Sequence, residues 1–572
     1  MSYTYEQVFN ATKEYFGGDE FPAKVCVDKY LLRNNDDDFL ELTPDDMHRR
    51  IAREIARVEK NKFKEPFTED FIYSCIKNFS YIIPQGSILF GCGNSYQLCT
   101  ISNCYVIDGP LDSYGGICYT DQELLQISKR RGGVGLDLTN LRPEGSTTRN
   151  SSRSSTGILS WMERYSNSIR EVGQNARRGA LMLTISIHHP QILDFTKAKL
   201  DNKKVTGANV SVRLTDEFLL SVENDEVYEQ RWPDKNPIIS QKVNAREVWN
   251  EIIKCARDNG EPGILFWSNI IQESPADCYK KWKFETVTTN PCGELPLCPN
   301  DSCRLLLLNL FQFVKNPFTS EAYFDYAEYY KYCQVAQRFM DDIIDLELEA
   351  IDKIIDKINN DPEPEHIKQI ELNLWDKIKT KCEQGRRTGT GNTALGDTLA
   401  ALNIKYDSEK GIKTAEQIYQ TLKFGCYRSS VDMAKELEPF PIWNAELEKD
   451  NMFLKRIGYE CITSEKNTIL ESGNQLYEDM QKYGRRNISL LTQSPSGSVS
   501  ILTKLKDNLY GTSSGIEPVF QLSYKRRKKI NHADKNVKVD FVDQNDDSWQ
   551  EYEIYHPAIK LWMDITKQDN VA

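Results

Sequence analysis

Along the first ninety residues, apolar positions recur at helical spacing. In LTPDDMHRRIAREIARVEK, Met47, Ile51, Ile55 and Val58 form one stripe, Thr43 offers a cap, Pro44 suits the first helical position, and Asp45 and Asp46 suit the positive end of the dipole. This predicts an amphipathic helix, and residues 1–83 read as a helical region. From about residue 84 the texture changes to short apolar runs broken by glycine (SILFGCGNS, ISNCYVID, GGVGLDL, LMLTISI, ANVSVRL), alternating with helical stretches near 157–172 and 246–258. That alternation predicts an α/β body with buried strands over 84–572. CQVAQRFMDDIIDLELEAIDKIIDKI predicts a long helix running into a polar surface loop, NNDPEPEHIK, and GRRTGTGNTALGDTLAAL predicts a glycine-rich lead into a further helix.

Composition narrows the class. The chain has 572 residues, with Lys+Arg 72 against Asp+Glu 84, a formal charge of −12 and 40% hydrophobic residues. An apolar fraction of that size excludes a disordered chain, and the acidic balance argues against a broad grip on nucleic acid. The start, MSYTYEQVFNATKEYF, has no basic segment followed by an apolar one, and no window approaches the roughly eighteen apolar residues of a membrane span. A cytoplasmic protein without a membrane partner is expected. Fifteen cysteines in so large a chain predict mostly reduced core thiols. No CxxC pair occurs, Cys92/Cys99/Cys104 and Cys292/Cys298/Cys303 lack structural-zinc spacing, and the six histidines are scattered, so no metal site is read.

Candidate chemistry lies in ETVTTNPCGELPL, where Asn290, Cys292 and Glu294 alternate. On an extended strand all three project from one face, setting a thiol between an amide that can hold a substrate oxygen and a carboxylate that can relay a proton. The competing reading is a Pro-Gly turn with a buried cysteine. Cys104 and Cys303 each sit at the edge of an apolar run; either could be inert core, but on adjacent strands the two could form a disulfide and supply two electrons. LLTQSPSGSVSIL carries small residues over 494–498 that let backbone N–H groups approach an anion, although such loops are also ordinary turns. QNARRGALM places Arg177 and Arg178 in a small-residue loop where guanidinium could meet phosphate. KRRGGVGLDL is not a GxGxxG motif, so no Rossmann site is read, and YKRRKK reads as a solvated face.

Taken together, NPCGE (290–294), ISNCYV (101–106), DSC (301–303), RRGGVGLDL (130–138), LRPEGS (141–146), QNARRGALM, GRRTGTGNTALGDTL, SPSGSVS and TSSGIEP (512–518) occur in the order found in the catalytic subunit of ribonucleotide reductases. The chain resembles that family over roughly residues 10 to 565. The resemblance implies a ten-stranded α/β barrel of two antiparallel five-stranded halves, with the radical cysteine on a central finger loop. It implies reduction of ribonucleotides to 2′-deoxyribonucleotides through a thiyl radical at Cys292, with Asn290 and Glu294 as partners and Cys104/Cys303 as the redox dithiol. Ser87, Asn103 and Ser496, Gly497, Ser498 and Val499 resemble substrate contacts, although many relatives have serine where Asn103 stands. Asp112, Ser113 and Arg142 resemble contacts to a dNTP or ATP effector, with 142–157 as its first loop. Gln174, Arg177 and Arg178 belong to a second loop, 173–180, that relays effector identity to the substrate.

The same resemblance implies a thioredoxin- or glutaredoxin-type reductant and a homodimer. QNARRGALM, KVTGANVSV and NPCGELPL look most like the adenosylcobalamin-dependent reductases, the alternative being a radical supplied by a di-metal partner subunit. No separate ATP-binding cone is evident ahead of the body. The last barrel strands and a cysteine-bearing tail are expected to be missing after TSSGIEP, as in a truncated or split reductase with a complementing C-terminal chain. Rival readings are a non-catalytic nucleotide-binding fragment and a non-radical thiol enzyme; the latter lacks a partnered histidine near Cys292.

Overall fold

The computed structural model describes residues 2–172, 179–518, 520, 523–529 and 549–566. The first predicted helix forms as Pro44–Lys62. Asp46 reaches back to accept from the backbone N–H of Leu42 (2.9 Å) and Thr43 (3.1 Å), closing the helix start. Its stripe of Met47, Ile51, Ile55 and Val58 is buried. The core around it runs without a break to Leu306–Leu308 and to Phe339. A buried ion network accompanies that packing: Lys62 Nζ lies 2.7 Å from Asp341, 3.1 Å from Asp342 and 2.7 Å from Asp345, all on the long helix Tyr326–Asn359. Burial would raise the Asp341 carboxyl, but Arg386 and Lys62 outweigh it and hold the group below the usual carboxylate range.

Around the site the strands are β1 (Ile82–Pro84), β2 (Cys104–Val106), β3 (Gly133–Asp137), β4 (Leu181–Ser186), β5 (Ala208–Leu214), β6 (Gly263–Phe266), β7 (Thr288–Thr289), β8 (Pro296–Leu297), β9 (Ser302–Cys303), β10 (Leu305–Asn309) and β11 (Gly389–Thr393). β2 to β6 lie parallel and adjacent in chain order, a half-barrel sheet, with β9 antiparallel on the β2 edge. Near-continuous apolar runs in β4 and β5 suit a parallel sheet covered by helices such as Tyr114–Ser128, Leu159–Glu171 and Ala245–Asn259. A second sheet has the order β1-β10-β11, with β10 parallel to β11. Residues 489–492 run alongside β11, where Thr390 N–H donates to Leu490 O at 2.9 Å and Thr492 N–H to Thr390 O at 3.1 Å.

Two expectations change. The polar stretch after the long helix is only a short turn, because a second helix, Glu365–Gly385, begins within it and buries Leu374, Trp375 and Ile378. Gly389 and Gly391 of GRRTGTGNT lie in strand β11, while Gly385 ends the preceding helix: a Cβ at Gly391 would stand 2.1 Å from Thr492 O, so the two segments meet only because that side chain is absent. No helix among the described residues is long and apolar enough to cross a membrane.

Candidate active site

β7 and β8 form a hairpin that packs against β3 and β4 of the half-barrel sheet. At its base Arg213 donates to Val287 O (3.0 Å), and Thr288 Oγ1 shares a 2.6 Å hydrogen bond with Thr184 Oγ1. Near its tip Asn209 Nδ2 donates to Pro291 O (2.8 Å). Between them a Cβ at Gly135 would lie 1.9 Å from Thr289 O, so β3 and the hairpin touch backbone to backbone.

Residues 290–294 are therefore the turn of this hairpin, which corrects the extended-strand arrangement expected from their alternation. Asn290 N–H donates to Leu295 O (3.2 Å), Gly293 N–H donates to Asn290 O (3.0 Å), and Asn290 Oδ1 accepts from Leu295 N–H (3.0 Å). Gly293 has φ +81°, a left-handed value that favours glycine. The turn buries Asn290, half-buries Glu294 and exposes Cys292 at the tip. Proline and glycine, the signature of the competing turn reading, decide the geometry, but the exposed cysteine does not fit that reading.

At the edge of the same sheet, Cys104 in β2 pairs directly with Cys303 in β9. Directly opposed residues of an antiparallel pair have Cα atoms about 4.5–5.5 Å apart, inside the span of about 4.4–6.8 Å that a disulfide bridges. Burial, then the charges of Glu294 and Cys104, push the Cys303 thiol well up, with Arg304 and Arg387 opposing. The mutual influence places Glu294, Cys104 and Cys303 in one cluster. Burial also raises the Glu294 carboxyl; the Asn290 amide offsets this only in part, in a geometry short of a hydrogen bond.

Among the described residues, Asn290 Nδ2, both Glu294 carboxylate oxygens, Asn103 Oδ1 and Ser87 Oγ are buried polar atoms with no hydrogen-bond partner. Each such group costs about 1–3 kcal/mol unless a ligand or water satisfies it. Ser496–Val499 lie on a loop with a short 3₁₀ turn, Gly497–Val499. Ser496 is fixed by Ser514 O (2.7 Å from its N–H) and by Thr393 Oγ1 (3.2 Å). Ser498 Oγ accepts from Lys29 Nζ (3.2 Å) and Tyr30 OH (3.0 Å). Lys29 and Tyr30 were not among the residues singled out from the sequence: they end an N-terminal helix some 470 positions away, and only the fold brings them here.

Asp112, Ser113 and Arg142 line one cavity of about 350 Å³ together with Asn150 and Trp161. Arg142 Nε donates to Asp112 Oδ2 (2.6 Å), its backbone N–H donates to Asp112 Oδ1 (3.1 Å), and the Ser113 hydroxyl caps helix Tyr114–Ser128 by accepting from Gly116 N–H (3.1 Å). Gln174, Arg177 and Arg178 lie outside the described residues. Among the described residues no cluster of His, Cys, Asp and Glu could hold a metal ion.

A parallel half-barrel sheet with a cysteine-tipped hairpin packed against it and a facing pair of cysteines at its edge defines a thiol-bearing α/β protein. Residues 102–556 match the family model described as ribonucleotide reductase, barrel domain, and the chain belongs to that family. It is 27% identical over 510 residues to a vitamin B12-dependent ribonucleoside-diphosphate reductase of Mycobacterium tuberculosis, covering 88% of this chain and 62% of the relative. A relative of the same description from Thermoplasma acidophilum is 27% identical over 448 residues, covering 78% of this chain and 49% of the relative. The ribonucleoside-diphosphate reductase large subunit of Variola virus is 24% identical over 548 residues, covering 90% and 63%. The chain thus spans between about half and two thirds of the length of these curated relatives.

Proposed function

We propose that the protein reduces ribonucleotides to 2′-deoxyribonucleotides by radical chemistry on a closed ten-stranded barrel, with the β7–β8 hairpin as its finger. The observation that carries this reading is the direct pairing of Cys104 with Cys303 in the half-barrel sheet, with the charge of Glu294, two residues from Cys292 in the hairpin turn, acting on Cys303. Cys292 as a thiyl takes the ribose 3′-hydrogen. Glu294, favoured in its protonated form by burial, exchanges a proton with the 3′-oxygen, while the Asn290 amide, held by Leu295, presents its unbonded Nδ2 to the ribose. Cys104 and Cys303 supply two electrons and two hydrogens: the 2′-hydroxyl leaves as water, the 2′-carbon gains hydrogen, and one S–S bond forms. Returning the 3′-hydrogen regenerates the Cys292 thiyl. A thioredoxin- or glutaredoxin-type dithiol then reduces the S–S bond by exchange.

Ser87, Asn103 and 496–499 receive the substrate's ribose and phosphates, and the cavity of Asp112, Ser113 and Arg142 receives the dNTP or ATP effector, in a homodimer. The exposed thiol at the hairpin tip fits a radical donor that arrives from outside the barrel, and adenosylcobalamin, a form of the vitamin B12 on which two of the relatives are named as dependent, would supply a hydrogen-abstracting radical there when bound.

The test is Cys292→Ala. Deoxyribonucleotide formation should vanish while nucleotide binding by calorimetry stays within about twofold, and turnover persisting in this variant removes the thiyl assignment. Activity that depends on a di-metal partner protein and ignores added adenosylcobalamin would transfer the radical source to that partner.

A further inference from the structure

The segment that delivers Cys104 into β2 is gathered around one buried carboxylate. Glu347, on the long helix Tyr326–Asn359, has no exposed surface. Its Oε2 accepts from the Ile101 N–H (2.8 Å), and its Oε1 accepts from Ser102 Oγ (2.8 Å) and Tyr105 OH (2.8 Å). Thr100 Oγ1 also donates to Oε1 and in turn accepts from Ser102 N–H (2.9 Å). Four of the six residues from 100 to 105 are thus tied to a single anion, and they bracket Cys104 on both sides.

The opposite strand is held by a cation. Arg304, equally buried and next to Cys303, donates to Ser302 Oγ (2.6 Å) and to Arg387 O (2.7 Å). Ser302 is the register partner of Tyr105. Charge-assisted hydrogen bonds in a dry interior are the strong ones, so each strand of the dithiol is fastened just outside its cysteine. Glu347 holds the residues on both sides of Cys104, and its action is on where Cys104 stands.

We propose that Glu347 is the positioning residue of the Cys104/Cys303 dithiol, holding β2 so that the two sulfurs are opposed and thereby setting the equilibrium between dithiol and disulfide. This rests on the reading of Cys104 and Cys303 as a redox pair. Releasing β2 lowers the effective concentration of one sulfur at the other, so the disulfide becomes easier to reduce.

The experiment needs no turnover. The full chain is equilibrated in glutathione buffers, where the two cysteines give up two protons and two electrons to form one S–S bond, and glutathione disulfide takes them to become two glutathione molecules. The Cys104–Cys303 disulfide is then quantified by thiol trapping and peptide mass spectrometry. Glu347→Gln, which keeps shape but loses charge, should lower the equilibrium constant five- to tenfold, a tenfold change being about 30 mV for this two-electron couple. Glu59→Gln is the control for a merely structural effect: Glu59 is as buried and accepts from Arg338 Nε at 2.7 Å, so its loss should reduce thermal stability and leave the constant unchanged. If Glu347→Gln does not fold, Ser102→Ala and Tyr105→Phe, each removing one bond, should each shift the constant about twofold. An unchanged constant in Glu347→Gln, or in both single-bond variants, overturns the proposal, as does an equal shift in Glu59→Gln. A wild-type chain that forms no Cys104–Cys303 disulfide at any glutathione ratio overturns the redox pair itself.

Discussion

Gly135→Ala is the sharpest probe of how the hairpin is seated. A Cβ at Gly135 would stand 1.9 Å from Thr289 O, 3.0 Å from Thr289 C and 3.4 Å from Asn290 Cα. All three are backbone atoms, so no side-chain rotation relieves the clash. Reaching ordinary contact at about 3.5 Å requires β3 and the hairpin to part by roughly 1.5 Å. The hairpin cannot swing freely, because Thr184 holds Thr288 at 2.6 Å and Asn209 holds Pro291 O at 2.8 Å. Overpacking of this kind costs about 1–3 kcal/mol of stability, whereas a displacement of about 1 Å at reacting groups costs about 100-fold in rate. Turnover in Gly135→Ala should therefore fall about 100-fold with only a modest loss of denaturation midpoint and little change in nucleotide affinity. Gly115→Ala is the companion variant: its Cβ meets nothing within 4 Å and it lies inside a helix, so stability should rise by up to about 1 kcal/mol. Rapid-quench measurement of deoxyribonucleotide formation with urea titration separates the two effects. Wild-type turnover in Gly135→Ala would refute the backbone contact between β3 and the hairpin.

Glu294→Gln should abolish turnover yet stabilise the fold at neutral pH. Because burial raises the Glu294 carboxyl above its unfolded value, its contribution to stability is fully present at low pH and is lost as pH rises through the folded value, so wild type and variant should converge below about pH 4 in urea titrations. A variant less stable than wild type at pH 7 would contradict this sign. Arg142→Ala should weaken effector binding by about 1.5–3 kcal/mol in calorimetry, the value of a charge-assisted phosphate contact, while the partly exposed Asp112 pair contributes at most about 1 kcal/mol to folding. Unchanged effector affinity would take Arg142 out of that cavity's function.

The helix stripe of Met47 to Val58 and the apolar runs of β3 to β5 were legible because burial imposes a period on the sequence. β11 was not, since GTGNT has no apolar period; its glycines answer to Thr492 O and to Cys303 Sγ, which a Cβ at Gly389 would approach to 2.7 Å. Helix Glu365–Gly385 was hidden by its density of Lys and Glu, two of which, Lys368 and Glu371, are nevertheless buried in pairs. The pairing of Cys104 with Cys303 was readable only as a conditional, because nearly 200 residues separate them and the register that opposes them is set by tertiary packing. Lys29, Tyr30 and Glu347 carried no local signal: a lysine, a tyrosine and a glutamate in helices look like surface residues until the partner segments are in place.

The ion network of Lys62 also has a mechanical reading. Asp341 and Glu347 stand six positions apart on the same long helix, about 9 Å along its axis. One carboxylate is gripped by a lysine of the N-terminal helices and the other grips the segment ahead of Cys104. A rigid rod thus joins residues that precede the barrel to one of the sulfurs inside it. Whatever loads or loosens those first helices, whether a bound protein, a temperature step or a truncation, has a lever on the thiol pair that needs no route through the nucleotide sites.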